Sequence, residues 1–219
     1  MTEIVNFDSR PSLVSVYMAE LRDVRIQNDP LRFRTNLQRI GEIMAYEISR
    51  RLDYKEETVT TPLGEAVCHR PVHQPVLATI MRAGIPFHQG LLNYFDYAEN
   101  AFVSAYRRYK EKGDTFDVLI EYLASPDIEG KTLIIADPML ATGASMELAY
   151  RALLSKGKPA HIHVVSVIAS RQAVDYVASV FPPEITTIWA GAIDDAINEH
   201  SYIVPGLGDA GDLAYGQKI

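Results

Sequence analysis

Apolar residues along this 219-residue chain keep two rhythms, and the switches between them outline the fold. Short, mostly apolar runs at Pro75–Met81, Ala101–Tyr106, Thr132–Ala136, His161–Ala169 and Ile185–Ala190 have the length and β-branched content of strands buried on both faces. Helical spacing takes over between them: at Leu91, Leu92 and Phe95, from about Ser145 to Ser155, and over Gln172–Val180. Strands alternating with helices across short crossovers predict an α/β fold, a mostly parallel sheet with helices on both faces. Phe116–Leu123 is apolar without a deciding period and reads as strand or short helix.

Two further helices precede this core. Ser12–Ile26 carries a stripe at Leu13, Val16, Tyr17, Leu21 and Val24, and Asp29-Pro30 opens a second helix through Leu37, Ile40, Met44, Ile48 and Leu52. Thr58–Thr61, a Pro62-Leu63-Gly64 turn and Glu65–Val72 then form a hairpin too polar for the core, an exposed arm over residues 58–72 that calls for a partner surface. No linker, repeat or low-complexity tract divides residues 1–219, so a single domain is expected.

Composition narrows the partners. A net charge of −7 argues against a nucleic-acid surface and allows an anionic ligand held by a local constellation. The single cysteine, Cys68, fits a reducing compartment, where a lone Cys is most often a small buried hydrophobe. MTEIVNFDSR lacks the basic and apolar regions of a signal peptide, and no apolar run reaches membrane length, so a cytoplasmic protein is expected.

The chemistry concentrates at Thr132–Lys156. A strand ends at Asp137; Pro138, Met139 and Leu140 follow; and Ala141, Thr142, Gly143, Ala144 and Ser145 are small enough for backbone N–H groups to close around one anion. The helix after them adds oriented donors and roughly half a positive charge, with Ser145 as its cap. Asp137 would repel a phosphate and so suits the paired hydroxyls of a sugar. The stretch is neither a Walker loop nor a three-glycine dinucleotide fingerprint. Arg82, at the end of the Pro75–Met81 strand, occupies the ligand rim of an open α/β sheet, and Arg107 ends the next strand before the charged loop Tyr109–Thr115. His161 and His163 share a strand face, but no third ligand follows at metal-site spacing, and His88 and His200 stand alone. Asp194-Asp195 reads as a turn or helix start.

Tyr202–Gly211, YIVPGLGDAG, is too glycine-rich for a regular element. Its exposed main chain can match the alternating donors and acceptors of a pyrimidine edge. The spelling Asp-Pro-Met-Leu-Ala-Thr-Gly resembles the phosphoribosyl diphosphate (PRPP) loop of type I phosphoribosyltransferases, and Pro138 after Asp137 narrows this to the uracil phosphoribosyltransferases. Asn198-Glu199-His200-Ser201 followed by YIVPGLGDAGD is similar to the uracil-binding end of that family, in the segment 198–219. The resemblance runs from Arg10-Pro11 through Met44-Ala45-Tyr46-Glu47 and Met81-Arg82-Ala83-Gly84 to this tail.

The resemblance implies the type I phosphoribosyltransferase fold, a homodimer or higher homo-oligomer, and transfer of a phosphoribosyl group from PRPP to uracil with Mg²⁺, giving UMP for pyrimidine salvage. It implies that Asp137 to Ser145 hold the ribose 5-phosphate and hydroxyls, that Arg82 and Arg107 contact the diphosphate, and that Ile203, Gly208 and Ala210 read uracil through the main chain. Asp209 would lie toward PRPP and Mg²⁺. The chain departs from the family at Arg108-Tyr109-Lys110-Glu111-Lys112 after Tyr106-Arg107, and at Pro86 and His88 after Arg-Ala-Gly. A nucleotide-sensing, RNA-binding regulator on the same fold would need a basic stripe, whereas Lys and Arg are scattered here. A phosphoribosyltransferase for another base is the remaining alternative.

Overall fold

The computed structural model describes residues 1–109 and 116–217, with side chains described outside 105–120. β1 (Glu3–Asn6) leads to α1 (Leu13–Arg22) and α2 (Pro30–Ser49), then to β2 (Tyr54–Thr61) and β3 (Gly64–Pro71). β4 (Val76–Met81), α3 (Gly84–Leu92), β5 (Glu99–Tyr109) and β6 (Phe116–Ala124) follow. The second half runs β7 (Thr132–Ala136), β8 (Met139–Leu140), α4 (Ala144–Leu153), β9 (His161–Ser170), α5 (Arg171–Val180) and β10 (Thr186–Asp194). β11 (Ala196–Ile197), β12 (Ile203–Val204) and α6 (Ala210–Tyr215) complete it.

The central sheet has the order β1-β10-β9-β7-β4-β5-β6, with β8 added beside β9. All its pairings are parallel except β5 with β6, so the ambiguous run after residue 115 is an antiparallel strand. Strand alternation divides the core in two. Leu77, Ile134, Ala136, Val165, Val167 and Trp189 face α1, α2, α3 and α6. Val76, Ala78, Ile80, Leu133, Ile135, Ile162, Val164 and Ile188 face α4 and α5. Both faces are covered, which is why these strands read as unbroken apolar runs.

Several elements differ from the sequence reading. α1 buries Val14, Met18 and Leu21, while Leu13 and Val16 are exposed; a capping box between Ser12 and Ser15 sets its start, and neighbouring apolar rows made the stripe ambiguous. β1, four residues with a polar start, was too short to register as a strand. The arm starts earlier, at Tyr54, and pairs through to Pro71, with Cys68 half-buried on it rather than in a core. The rings of His161 and His163 meet at a tilt with centroids 4.5 Å apart, and Trp189 Nε1 donates to His163 Nδ1 at 3.0 Å. Burial pushes the His163 imidazole down to about 3, so it packs as a neutral ring.

α2 and α3 cross at Gly41 and Gly90. A Cβ on Gly90 would collide with the Gln38 carbonyl and lie 2.9 Å from its carbonyl carbon, backbone that cannot swing aside. The crossing holds α3, and with it the turn that carries Arg82. Gly90→Ala should therefore destabilise the fold by about 1–3 kcal/mol, the usual cost of overpacking. The drop in denaturation midpoint measures it; a midpoint unchanged from wild type would mean that the helices separate freely.

Candidate functional site

The chain leaves β4 for β5 on one side and later enters β7 on the other, so the order of the sheet reverses between β4 and β7. Open α/β sheets bind ligands beyond the carboxyl ends of their strands at such a reversal. Arg82 follows β4 and Asp137 follows β7, which places both on this rim. Between the strands, Thr79 donates its hydroxyl to the Ala136 carbonyl at 3.4 Å. Gly84 leaves the room that hydroxyl occupies.

The loop after β7 is fixed from below. Asp137 Oδ1 accepts from the Met139 N–H at 3.2 Å, Ser166 Oγ accepts from the Leu140 N–H at 3.2 Å, and Ser170 Oγ donates to the Ala141 carbonyl at 2.6 Å. Gly143 then turns with φ of +84°, where a Cβ would also lie 2.7 Å from the Tyr176 ring. This departs from the expected cap. α4 begins at Ala144, Ser145 lies inside its first turn, and the hydroxyl that reaches an end N–H is that of Thr142, to Ala144 at 3.4 Å. The N–H groups of Thr142, Gly143 and Ser145 find no acceptor among the described residues. They surround a hollow of about 30 Å³ lined by Asp137, Met139, Leu140, Ala141, Thr142, Gly143, Ser145 and Met146.

The glycine-rich tail is more ordered than its composition suggests. Ile203 is buried and pairs with Ile197; Gly208 takes a left-handed φ of +87°; Asp209 caps α6 by accepting from the Asp212 N–H at 3.0 Å. The Ala210 N–H points at Met139 Sδ, 3.3 Å away, so the tail touches the loop after β7 directly. Arg82 reaches across to the same tail: Nη2 donates to Asp212 Oδ1 at 3.0 Å and Nη1 to the Gly216 carbonyl at 3.1 Å. Arg107 lies on β5, but its side chain and the loop residues 110–115 fall outside those described.

A larger cavity, about 630 Å³, opens elsewhere, between Phe7, Arg10, Glu47, Arg50, Arg51 and Trp189. Size alone would favour it. Yet Arg51 forks onto Glu3 and Arg50 pairs with Glu47, whereas the small hollow presents unspent N–H donors at a helix start.

The profile of the family described as uracil phosphoribosyltransferase matches residues 9–217. The chain belongs to this family. The uracil phosphoribosyltransferase of Porphyromonas gingivalis is 64% identical over 217 residues, spanning 99% of this chain and all of that one. Among solved structures, the AQ2163 protein from Aquifex aeolicus is similar at a TM-score of 0.84 and 28% identity, covering 97% of this chain and 98% of the other. A hypoxanthine phosphoribosyltransferase from Staphylococcus aureus shares the fold at a TM-score of 0.50 and 15% identity, over 85% and 84% of the two chains. The architecture is that of the type I phosphoribosyltransferases.

Within this uracil phosphoribosyltransferase family member, the groups that hold the tail were not visible as site residues in the sequence. Asp194, the last residue of β10, accepts two hydrogen bonds from Arg22 at 2.7 and 2.8 Å and one from the Gly206 N–H at 2.8 Å. Arg22 also donates to the Gly206 carbonyl, Gln27 to that of Leu207, and Arg34 to that of Ala214. The only sequence signal was an acid at a strand's end. Burial pushes the Asp194 carboxyl up, but the hydrogen bonds from Arg22 and Gly206 outweigh it and leave the group below its ordinary value.

Asp194→Asn should cost about 1.5–3 kcal/mol, since hydrogen bonds to a charged group are lost. The lowered value fixes the sign with pH. The stability that Asp194 contributes is whole above the unfolded carboxyl value near ~4 and is lost as pH falls through the lower folded value. The variant's stability should accordingly fall less steeply on the acid side, as read from urea midpoints between neutral and acid pH. Parallel curves for the two proteins would remove Asp194 from that role.

Proposed function

We propose that this chain transfers the phosphoribosyl group of PRPP to uracil, giving UMP and diphosphate for pyrimidine salvage. One observation carries the reading: the anion-cradling loop and the main-chain-exposing tail, motifs for two different substrates, meet at a single rim through Ala210 and Met139. The name and full-length similarity of the Porphyromonas gingivalis relative support the same substrates. In the reaction, a bond forms between uracil N1 and ribose C1, the bond from C1 to the diphosphate oxygen breaks, and uracil gives up its N1 proton. The donors of Thr142, Gly143 and Ser145 hold the 5-phosphate, and the Asp137 carboxylate faces the ribose hydroxyls. Such positioning of two substrates supplies much of the acceleration. Arg82 and Arg107 spread the charge that leaves with diphosphate.

Magnesium fits the residues present in a limited way. No three His, Cys, Asp or Glu side chains gather into a cage among the described residues, which suits an ion carried mostly by substrate oxygens and water. Asp209 would lie toward it: among the described residues its Oδ1 accepts from the Asp212 N–H and its Oδ2 is not engaged. When bound, the ion would offset the charge of the leaving diphosphate.

A steady-state assay with PRPP, Mg²⁺ and a panel of free bases tests the proposal. Uracil should be preferred over cytosine by about 10⁴ or more, because the cytosine amino group leaves main-chain donors unpaired. Equal turnover of the two, or preference for a purine, would overturn it.

We also propose that the chain acts as a homodimer or higher homo-oligomer joined by the arm. Among the described residues β2 and β3 pair only with each other, and a lone hairpin is marginal in water. Leu63 at the tip is 99% exposed, and Val67, further along β3, is exposed too. Deleting residues 61–65 should lower the mass measured by light scattering. A variant with the wild-type mass and melting temperature would count against the arm.

A further inference from the structure

We infer that Asp212 is a positioning residue that sets how tightly the diphosphate end of PRPP is held, by keeping Arg82 on the C-terminal segment. The inference rests on the PRPP reading of the site. Each terminal nitrogen of Arg82 gives one hydrogen bond to that segment, Nη2 to the Asp212 carboxylate and Nη1 to the Gly216 carbonyl. Its Nε is buried without a partner among the described residues. The guanidinium also approaches Gly211 closely: a Cβ there would lie 3.3 Å from Nη2. A diphosphate that takes up this cation therefore competes with the Asp212 carboxylate for its charge.

The exchange is feasible because the pair is weak and the segment does not depend on it. The Arg82 and Asp212 side chains are 33% and 36% exposed, and pairs so solvated are held loosely. Arg34 holds Ala214, while Arg22 and Asp194 hold Gly206, so the tail stays docked when Arg82 leaves. Asp209, on the same turn, caps the Asp212 N–H, and that backbone bond survives a change of the Asp212 side chain. Asp212 thus competes with diphosphate for Arg82 without building the surface that reads the base.

Calorimetric binding of PRPP and of inorganic diphosphate, with Mg²⁺ present, tests this in the full chain. Asp212→Asn should bind both about two- to fivefold more tightly, the range that a solvated ion pair can supply. Its KM for PRPP should fall while its melting temperature is kept, and Asp212→Glu, which retains the charge, should return toward wild type. In an Arg82→Met background the Asp212→Asn gain should vanish, since the effect runs through Arg82. A gain that persists there would be a general charge effect and would overturn the inference, as would unchanged or weaker binding by Asp212→Asn. Wild-type protein that binds no PRPP would instead overturn the reading of the site itself.

Discussion

The paired hydrogen bonds between Arg22 and Asp194 are the constraint on which the rest of the site depends. Three glycines in ten residues give the segment from Tyr202 to Gly211 little preference for any shape, and ordering it costs backbone entropy at each position. The carboxylate at the end of β10 meets that cost from outside: it fixes Arg22 on α1 and takes the Gly206 N–H in one step. With Gln27 and Arg34 on the Leu207 and Ala214 carbonyls, the N-terminal helices become a clamp on the C-terminal tail. This explains why two helices that lie outside the alternating strand–helix pattern belong to the domain.

The opposite wall of the site is ordered by the sheet itself. Ser166 and Ser170, fully buried on β9, spend their hydroxyls on the loop after β7, so that loop is held by side chains beneath it. Its upper surface can then consist of small residues whose N–H groups remain unspent. A loop of larger residues would fill the hollow with its own side chains.

Much of this was legible in the sequence because the physics is local there. Strands covered on both faces show as apolar runs, and the Asp137–Ser145 spelling with the tail motif pointed to two substrates before any geometry was available. What the sequence could not convey is pairing across distance. Asp194 looked like a turn residue because its partners, Arg22 and Gly206, are 172 and 12 positions away. α6 was hidden by the glycines before it, although Asp209 is an ordinary cap for a helix starting at Ala210. The Arg82–Asp212 contact was invisible for the same reason as Asp194: a cation at a strand's end predicts a rim, not which groups on that rim claim it.

An acidic chain that binds a highly anionic substrate must do so without a strongly positive surface. Among the described side chains of the rim, Asp137, Asp209 and Asp212 outnumber Arg82, which leaves much of the attraction to other donors. On the proposed reading it comes from main-chain donors at the start of α4, whose partial positive charge cannot be titrated away. On that reading, a fixed set of dipoles would hold the monoester phosphate, while the Arg82 guanidinium, with Asp212 as its partner in this structure, would serve the group that must leave. Different tasks call for different sources of positive charge: the 5-phosphate stays bound through the reaction and suits a rigid cradle, whereas diphosphate has to be released and suits a cation that has somewhere else to go.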